Sequence, residues 1–227
     1  NLILVAVPMF IFMGTMLERS GVAGALLRCL ERLLASVPGG LALAVTLMGT
    51  IMAATTGIIG ASVVMITLLA MPPMLRARYE HCFAAGTIAA SGTLGILIPP
   101  SIMLVVMAEM LNRSVGTLFF AALIPGLMLA AFYAAFVTIR AAMRPDLAPK
   151  PDRRPVEGSL MRLMVAGLAP PAALIVLVLG SILAGWASPT EAAGVGAFGA
   201  LVLGLFLPPI IDRTSLAGWL RKFPALL

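Results

Sequence analysis

Two short stretches concentrate residue types that hold ions inside a membrane: "ATTGIIGAS" at residues 54–62 and "SGTLGILIPPS" at 91–101. Each combines hydroxyl side chains with glycine, and the second ends beside the pair Pro99-Pro100. Proline lacks an amide hydrogen and clashes with the preceding helical turn, so such a pair interrupts a helix. An interruption frees carbonyls, which are hard oxygen ligands for a cation such as sodium, and Thr or Ser hydroxyls extend that set. The half-helix that follows opens on amide hydrogens that favour an anionic group. The candidate cation ligands are therefore Thr55, Thr56 and Gly57 at the first stretch and Ser91, Gly92, Thr93 and Gly95 at the second. Gly60, Ser62, Pro99, Pro100 and Ser101 would border a substrate cavity.

The elements that must position these residues follow from composition. Of 227 residues, 61% are hydrophobic and only 11% charged, against about 25% charged in soluble domains. Apolar segments fall at 1–16, 40–74, 83–111, 117–143, 161–187 and 191–211, which predicts an all-α polytopic membrane protein. The chain opens at Asn1 in apolar sequence with no signal-like leader, so it is expected to be a piece of a longer protein. Between the first two segments, Leu26, Leu27, Leu30, Leu33 and Leu34 recur at helical spacing opposite Arg28, Glu31 and Arg32. That pattern suits a helix lying in the membrane interface, closed by Pro38-Gly39-Gly40. The connector at 144–159 is rich in proline and charge and reads as a solvated loop.

Segment 40–74 would make a single helix of roughly 50 Å, too long for a bilayer core of about 30 Å. A hairpin turning at Gly57 and Gly60 explains both its length and its interruption. Charge placement supports the same parity. With 40–74 returning to its starting side, 14 of the 15 Lys and Arg face one compartment, and only Arg113 faces the other. The positive-inside rule makes the basic face cytoplasmic. It does not separate a re-entrant hairpin from two short full spans. The net charge of +6 is therefore topological, and nucleic acid is not an expected partner.

Several residues carry blander readings. "SPTE" at 188–191 reads as a capping box, with Ser188 at the N-cap and Glu191 reaching back. Glu109 and Arg113 are spaced for a helical pair. His81 sits in a basic connector, Cys29 and Cys82 are isolated thiols, and the 15 Met read as packing and lipid-facing residues. No Ser/His/Asp set, HExxH or phosphate loop is present, so an enzyme is not expected.

The blocks "PMFIFMGTMLERSG", "PGGLALAV", "FAAGTIAASGTLG", "GTLGILIPPSIM" and "SPTEAAGVGAFGAL" resemble the large membrane subunit of tripartite ATP-independent periplasmic (TRAP) transporters. The resemblance covers essentially the whole chain and lies nearest the mannitol/chloroaromatic-type branch. It implies an elevator fold with a re-entrant hairpin and a discontinuous helix, present here as the first repeat and the start of the second. Scaffold-like residues 1–39 would precede transport-domain residues 40–111, followed by further helices across 112–227. It also implies a sodium-coupled importer of an organic acid in the bacterial inner membrane. A small membrane subunit and a periplasmic solute-binding protein would be its partners, and sodium its coupling ion, with no other cofactor. The tip departs from the family pattern: Ile58 and Ile59 stand where many members have serine, so backbone carbonyls there would contribute more. A carboxylate carrier working without a binding protein, and a non-transporting scaffold whose glycines only pack helices, remain alternatives.

Overall fold

The computed structural model describes residues 2–56, 59–149 and 164–212, and every regular element among them is helical. The helices are α1 (Leu2–Arg19), α2 (Val22–Leu33), α3 (Gly40–Thr56), α4 (Ile59–Arg76), α5 (His81–Thr93), α6 (Ile102–Met110), α7 (Val115–Met143), α8 (Ala169–Leu183) and α9 (Pro189–Asp212). Tight helical turns at Leu94–Ile96 and Pro145–Leu147 follow α5 and α7, and a wide turn at Met164–Leu168 leads into α8.

Large apolar residues fill the core of this bundle, and many more of them stand on its outer surface. On α7, Gly126, Ala130 and Ala141 are buried, whereas Phe120, Ile124, Phe132, Phe136 and Ile139 are exposed. An apolar outer surface of this extent suits hydrocarbon or another protein surface and not water. By length and composition α4 and α7 can each cross a membrane, and α1 with α2, bent by 60° at Gly21, would make a third span. The bend is built on Gly21, whose φ of +77° is costly for a residue with a Cβ.

Packing sorts the helices into two groups. Leu26, Leu41, Met48, Met52, Ile66, Met74, Ile88 and Val137 form one core, from α2, α3, α4, α5 and the end of α7. Phe10, Met13, Leu17, Val105, Phe119, Val178 and Ala193 form the other, from α1, α6, the start of α7, α8 and α9. Leu94, Ile98 and Ala130 form a third, smaller cluster at the place where α5 stops. The amphipathic reading holds for most of α2, where Leu26, Leu27 and Leu30 are buried and Arg28 and Arg32 exposed, but Leu33, expected on the apolar face, is exposed at the last position of the helix.

Two local expectations are corrected or completed. Glu109 and Arg113 do not share a helical face, because α6 ends at Met110. The capping box at 188–191 is formed: the Ser188 amide donates to Glu191 Oε2 at 2.7 Å, and the Glu191 amide to Ser188 Oγ at 3.3 Å. The connector at 144–159 falls inside the described residues only as far as 149.

Candidate functional site

The second interruption falls where the prolines require it. Helical geometry runs through Thr93, tightens over Leu94–Ile96 and is lost by Ile98. The carbonyls of Gly95 and Ile96 would seek amides at positions 99 and 100, and both are prolines with none to give. Ser91 and Gly92 thus lie in the last turn of α5, and Gly95 lies in the tight turn beyond it.

Close helix approach holds this interruption in place. A Cβ on Gly49 of α3 would lie 2.6 Å from Ser91 Cβ and 2.9 Å from its carbonyl oxygen. One on Gly92 would collide with Val63 of α4, and one on Gly126 of α7 would lie 3.0 Å from the Leu97 carbonyl oxygen. The interruption is therefore walled by α3 and α4 on one side and by α7 on the other. Pro99, Pro100 and Ser101 are all buried there. Broken backbone at membrane depth survives only when buried in protein or lining a cavity, and this one is buried in protein.

The hydroxyls differ in what they can do next. Ser91 Oγ, fully buried, donates to the Thr87 carbonyl at 2.6 Å, and Thr93 Oγ1, exposed, donates to the Ala90 carbonyl at 2.8 Å. With its single proton so committed, each oxygen has only lone pairs left, the state a cation ligand requires. Ser101 is the N-cap residue of α6, fully buried, yet its Oγ has no hydrogen-bond partner. A buried hydroxyl without a partner costs about 1–3 kcal/mol, which makes its position informative.

At the first stretch, Gly57 and the side chains of Thr55 and Thr56 lie outside the described residues. Ser62 is buried in the first turns of α4, and Gly60 is exposed with open space where a Cβ would point. α3 and α4 pack on each other and on α5, so Ser62 belongs to the same helix group as Ser91. His81 is exposed at the first position of α5; Cys29 is buried and Cys82 exposed, and both are free thiols.

Sequence reasoning expected Ser101 to border a substrate cavity but had no signal for its missing partner, which depends on which helices surround it. Gly49 and Gly126 were likewise missed. Only packing reveals that they abut Ser91 and Leu97.

The described residues form an all-helical bundle with apolar helices long enough to cross a bilayer, compatible with a polytopic membrane protein. The chain belongs to the DctM component family of tripartite ATP-independent periplasmic transporters, whose family model matches residues 1–223. It is 36% identical over 205 residues to the C4-dicarboxylate TRAP transporter large permease protein DctM of Pseudomonas aeruginosa, covering 90% of this chain and 47% of that protein. It is 34% identical over 200 residues to the ectoine/5-hydroxyectoine large permease UehC of Ruegeria pomeroyi, covering 88% and 46%. With the sialic acid large permease SiaM of Vibrio cholerae it shares 31% identity over 206 residues, covering 90% and 47%. The chain spans about half the length of the curated relatives it matches.

Proposed function

We propose that this chain supplies one ion-and-substrate half-site of a sodium-coupled secondary transporter importing an organic acid across the bacterial inner membrane. The carrying observation is the buried, unpartnered Ser101 hydroxyl at the amino terminus of α6, directly after Pro99-Pro100. A carboxylate is the group that suits it, because Ser101 can donate one hydrogen bond and the first amides of α6 can donate others. Relatives are named for C4-dicarboxylates, ectoines and sialic acid, which carry a carboxylate, and for isethionate, which carries a sulfonate, so an anionic oxygen group is the shared chemistry that supports the choice.

Sodium would bind on the other side of the break. Ser91 and Thr93 oxygens with free lone pairs, the Gly95 carbonyl, and Thr55, Thr56 and Gly57 are the ligand candidates, with Gly92 giving the close approach. Sodium there would tie the hairpin of α3 and α4 to the break and complete a substrate cavity bordered by Gly60, Ser62, Pro99, Pro100 and Ser101. The hairpin and break would then move together in an elevator step, with a small membrane subunit completing the scaffold and a periplasmic binding protein delivering the solute. The basic loops would face the cytoplasm.

The test uses the full-length permease with its partner subunits in proteoliposomes. Cysteines placed at Thr56 and Thr93 should change their alkylation rates when sodium replaces potassium, and uptake should follow the sodium gradient. A scaffold would show neither response. Uptake that proceeds without any binding protein would favour the self-sufficient carrier.

A further inference from the structure

A concavity lies on the flank of the bundle where α5 and α7 run antiparallel over α3. It has a volume of about 230 Å³ and is walled by Phe83, Gly86, Ala90 and Phe136, with Tyr133 farther along and Arg140 at one end. Cys82 and Ala90 are eight helical steps apart on α5, so the groove is about 12 Å long. Its floor offers no free donor from the threonines: Thr46 Oγ1 donates to the Ala42 carbonyl at 3.0 Å and Thr87 Oγ1 to the Phe83 carbonyl at 2.8 Å.

The Arg140 end is the basic end of the bundle. The Glu80 amide donates to the Leu147 carbonyl at 3.1 Å, which brings the start of α5 to the loop after α7, beside Arg144 and Asp146. The nearby Glu80 carboxylate is occupied by the amides of Cys82 and Phe83, at 3.0 and 2.6 Å. An apolar channel with a guanidinium at its interfacial end has the shape and polarity of one amphiphile. We propose that this groove holds an anionic glycerophospholipid of the surrounding bilayer, its headgroup phosphate on Arg140 and one acyl chain along Gly86, Phe136 and Ala90. Basic sites between membrane helices select such headgroups, and the occupant is present at high concentration wherever the protein is. Gly86 is the opening through which the chain lies against α5, since a Cβ there meets nothing within 4 Å.

The site is tested on the full-length protein purified in mild detergent and titrated with phosphatidylglycerol or phosphatidylcholine, with bound lipid counted by native mass spectrometry. Wild type should bind phosphatidylglycerol about fivefold better than phosphatidylcholine, and Arg140→Gln should remove that preference. Gly86→Phe fills the channel and should weaken both lipids about tenfold, the worth of about two buried methylenes, while Gly86→Ala should bind as wild type. Phosphatidylglycerol should also slow alkylation of Cys82, which lines the groove, and leave buried Cys29 unlabelled throughout. Equal binding by wild type and Gly86→Phe, or no preference for the anionic lipid, overturns the proposal. Protection of Cys82 by the small membrane subunit in lipid-free detergent would assign the groove to that protein and overturn it equally.

Discussion

Two neighbouring apolar stretches of the same length meet proline differently. α7 holds Pro125 and stays helical for 29 residues, whereas residues 83–111 break into α5 and α6 around Pro99-Pro100. One proline removes one amide and leaves one carbonyl to adjust, which a long helix absorbs by bending. Two successive prolines remove two amides from the same turn. Yet α4 carries Pro72-Pro73 and remains helical to Arg76, so a proline pair alone does not decide the outcome. The pairs differ in surroundings. Pro72 is exposed near the end of its helix, whereas Pro99 and Pro100 are buried at mid-stretch, just after the tight turn at Leu94–Ile96 and the Leu97–Ile98 segment that Gly126 of α7 abuts. A break is kept where neighbouring helices are shaped to receive it.

The largest effects should come from making the two stretches alike. Replacing both prolines, Pro99→Ala with Pro100→Ala, returns the missing amides and should let α5 run into α6. Uptake by the full-length transporter should fall to background while the protein still purifies as a folded species. Pro125→Ala in α7 should do the opposite, raising stability by about 1–3 kcal/mol with uptake preserved. Thermal unfolding in detergent and uptake in proteoliposomes read the two together. Retained uptake in the double variant would end the proposed role of the break.

Next come the contacts that receive it. Gly92→Val drives a branched side chain into Val63 and should destabilise the protein by about 1–3 kcal/mol, with uptake lost. Gly86→Ala, six residues earlier on the same helix, meets open space and should be neutral or slightly stabilising. If both variants unfold at the wild-type temperature, α5 does not press on α4 at Gly92.

A smaller change separates function from stability. Ser101→Ala removes a buried hydroxyl that has no partner, so thermal stability should hold or rise. If that hydroxyl binds the substrate carboxylate, the KM for uptake should rise about fivefold, the worth of one ordinary hydrogen bond. Ser91→Ala should show the reverse balance in stability, losing about 1 kcal/mol with the bond to the Thr87 carbonyl.

What was legible in the sequence was local. The break at Pro99-Pro100, the amphipathic face of α2 and the Ser188–Glu191 capping box each depend on residues a few positions apart. The continuity of α4 through Pro72-Pro73 was not flagged by any such pattern. The orphaned state of Ser101, the fit of Gly49 against Ser91 and the groove beside Arg140 depend on which helices become neighbours, and spacing along one chain does not encode that. The ligand set at the hairpin tip is legible only as residue types, since Gly57 and the side chains of Thr55 and Thr56 lie outside the described residues.

The smallest effect compares the two helix starts of the broken stretch. At α5 the Glu80 carboxylate accepts the amides of Cys82 and Phe83, whereas at α6 Ser101 Oγ accepts none. The amides of Phe83 and Cys82 hold the Glu80 carboxyl below its ordinary value of 4.5, the Phe83 bond contributing most. A lowered value means that the folded state favours the charged form. The stabilisation is therefore complete above about pH 4.5 and is lost as pH falls through the lowered value. Glu80→Gln should lower the unfolding temperature slightly at neutral pH and shrink the difference from wild type as the solution is acidified below that range. No corresponding acid-linked loss is expected from Ser101→Ala, whose hydroxyl does not titrate there. A Glu80→Gln difference that stays constant from pH 7 to pH 3 would mean that the cap at α5 acts through shape and not through charge.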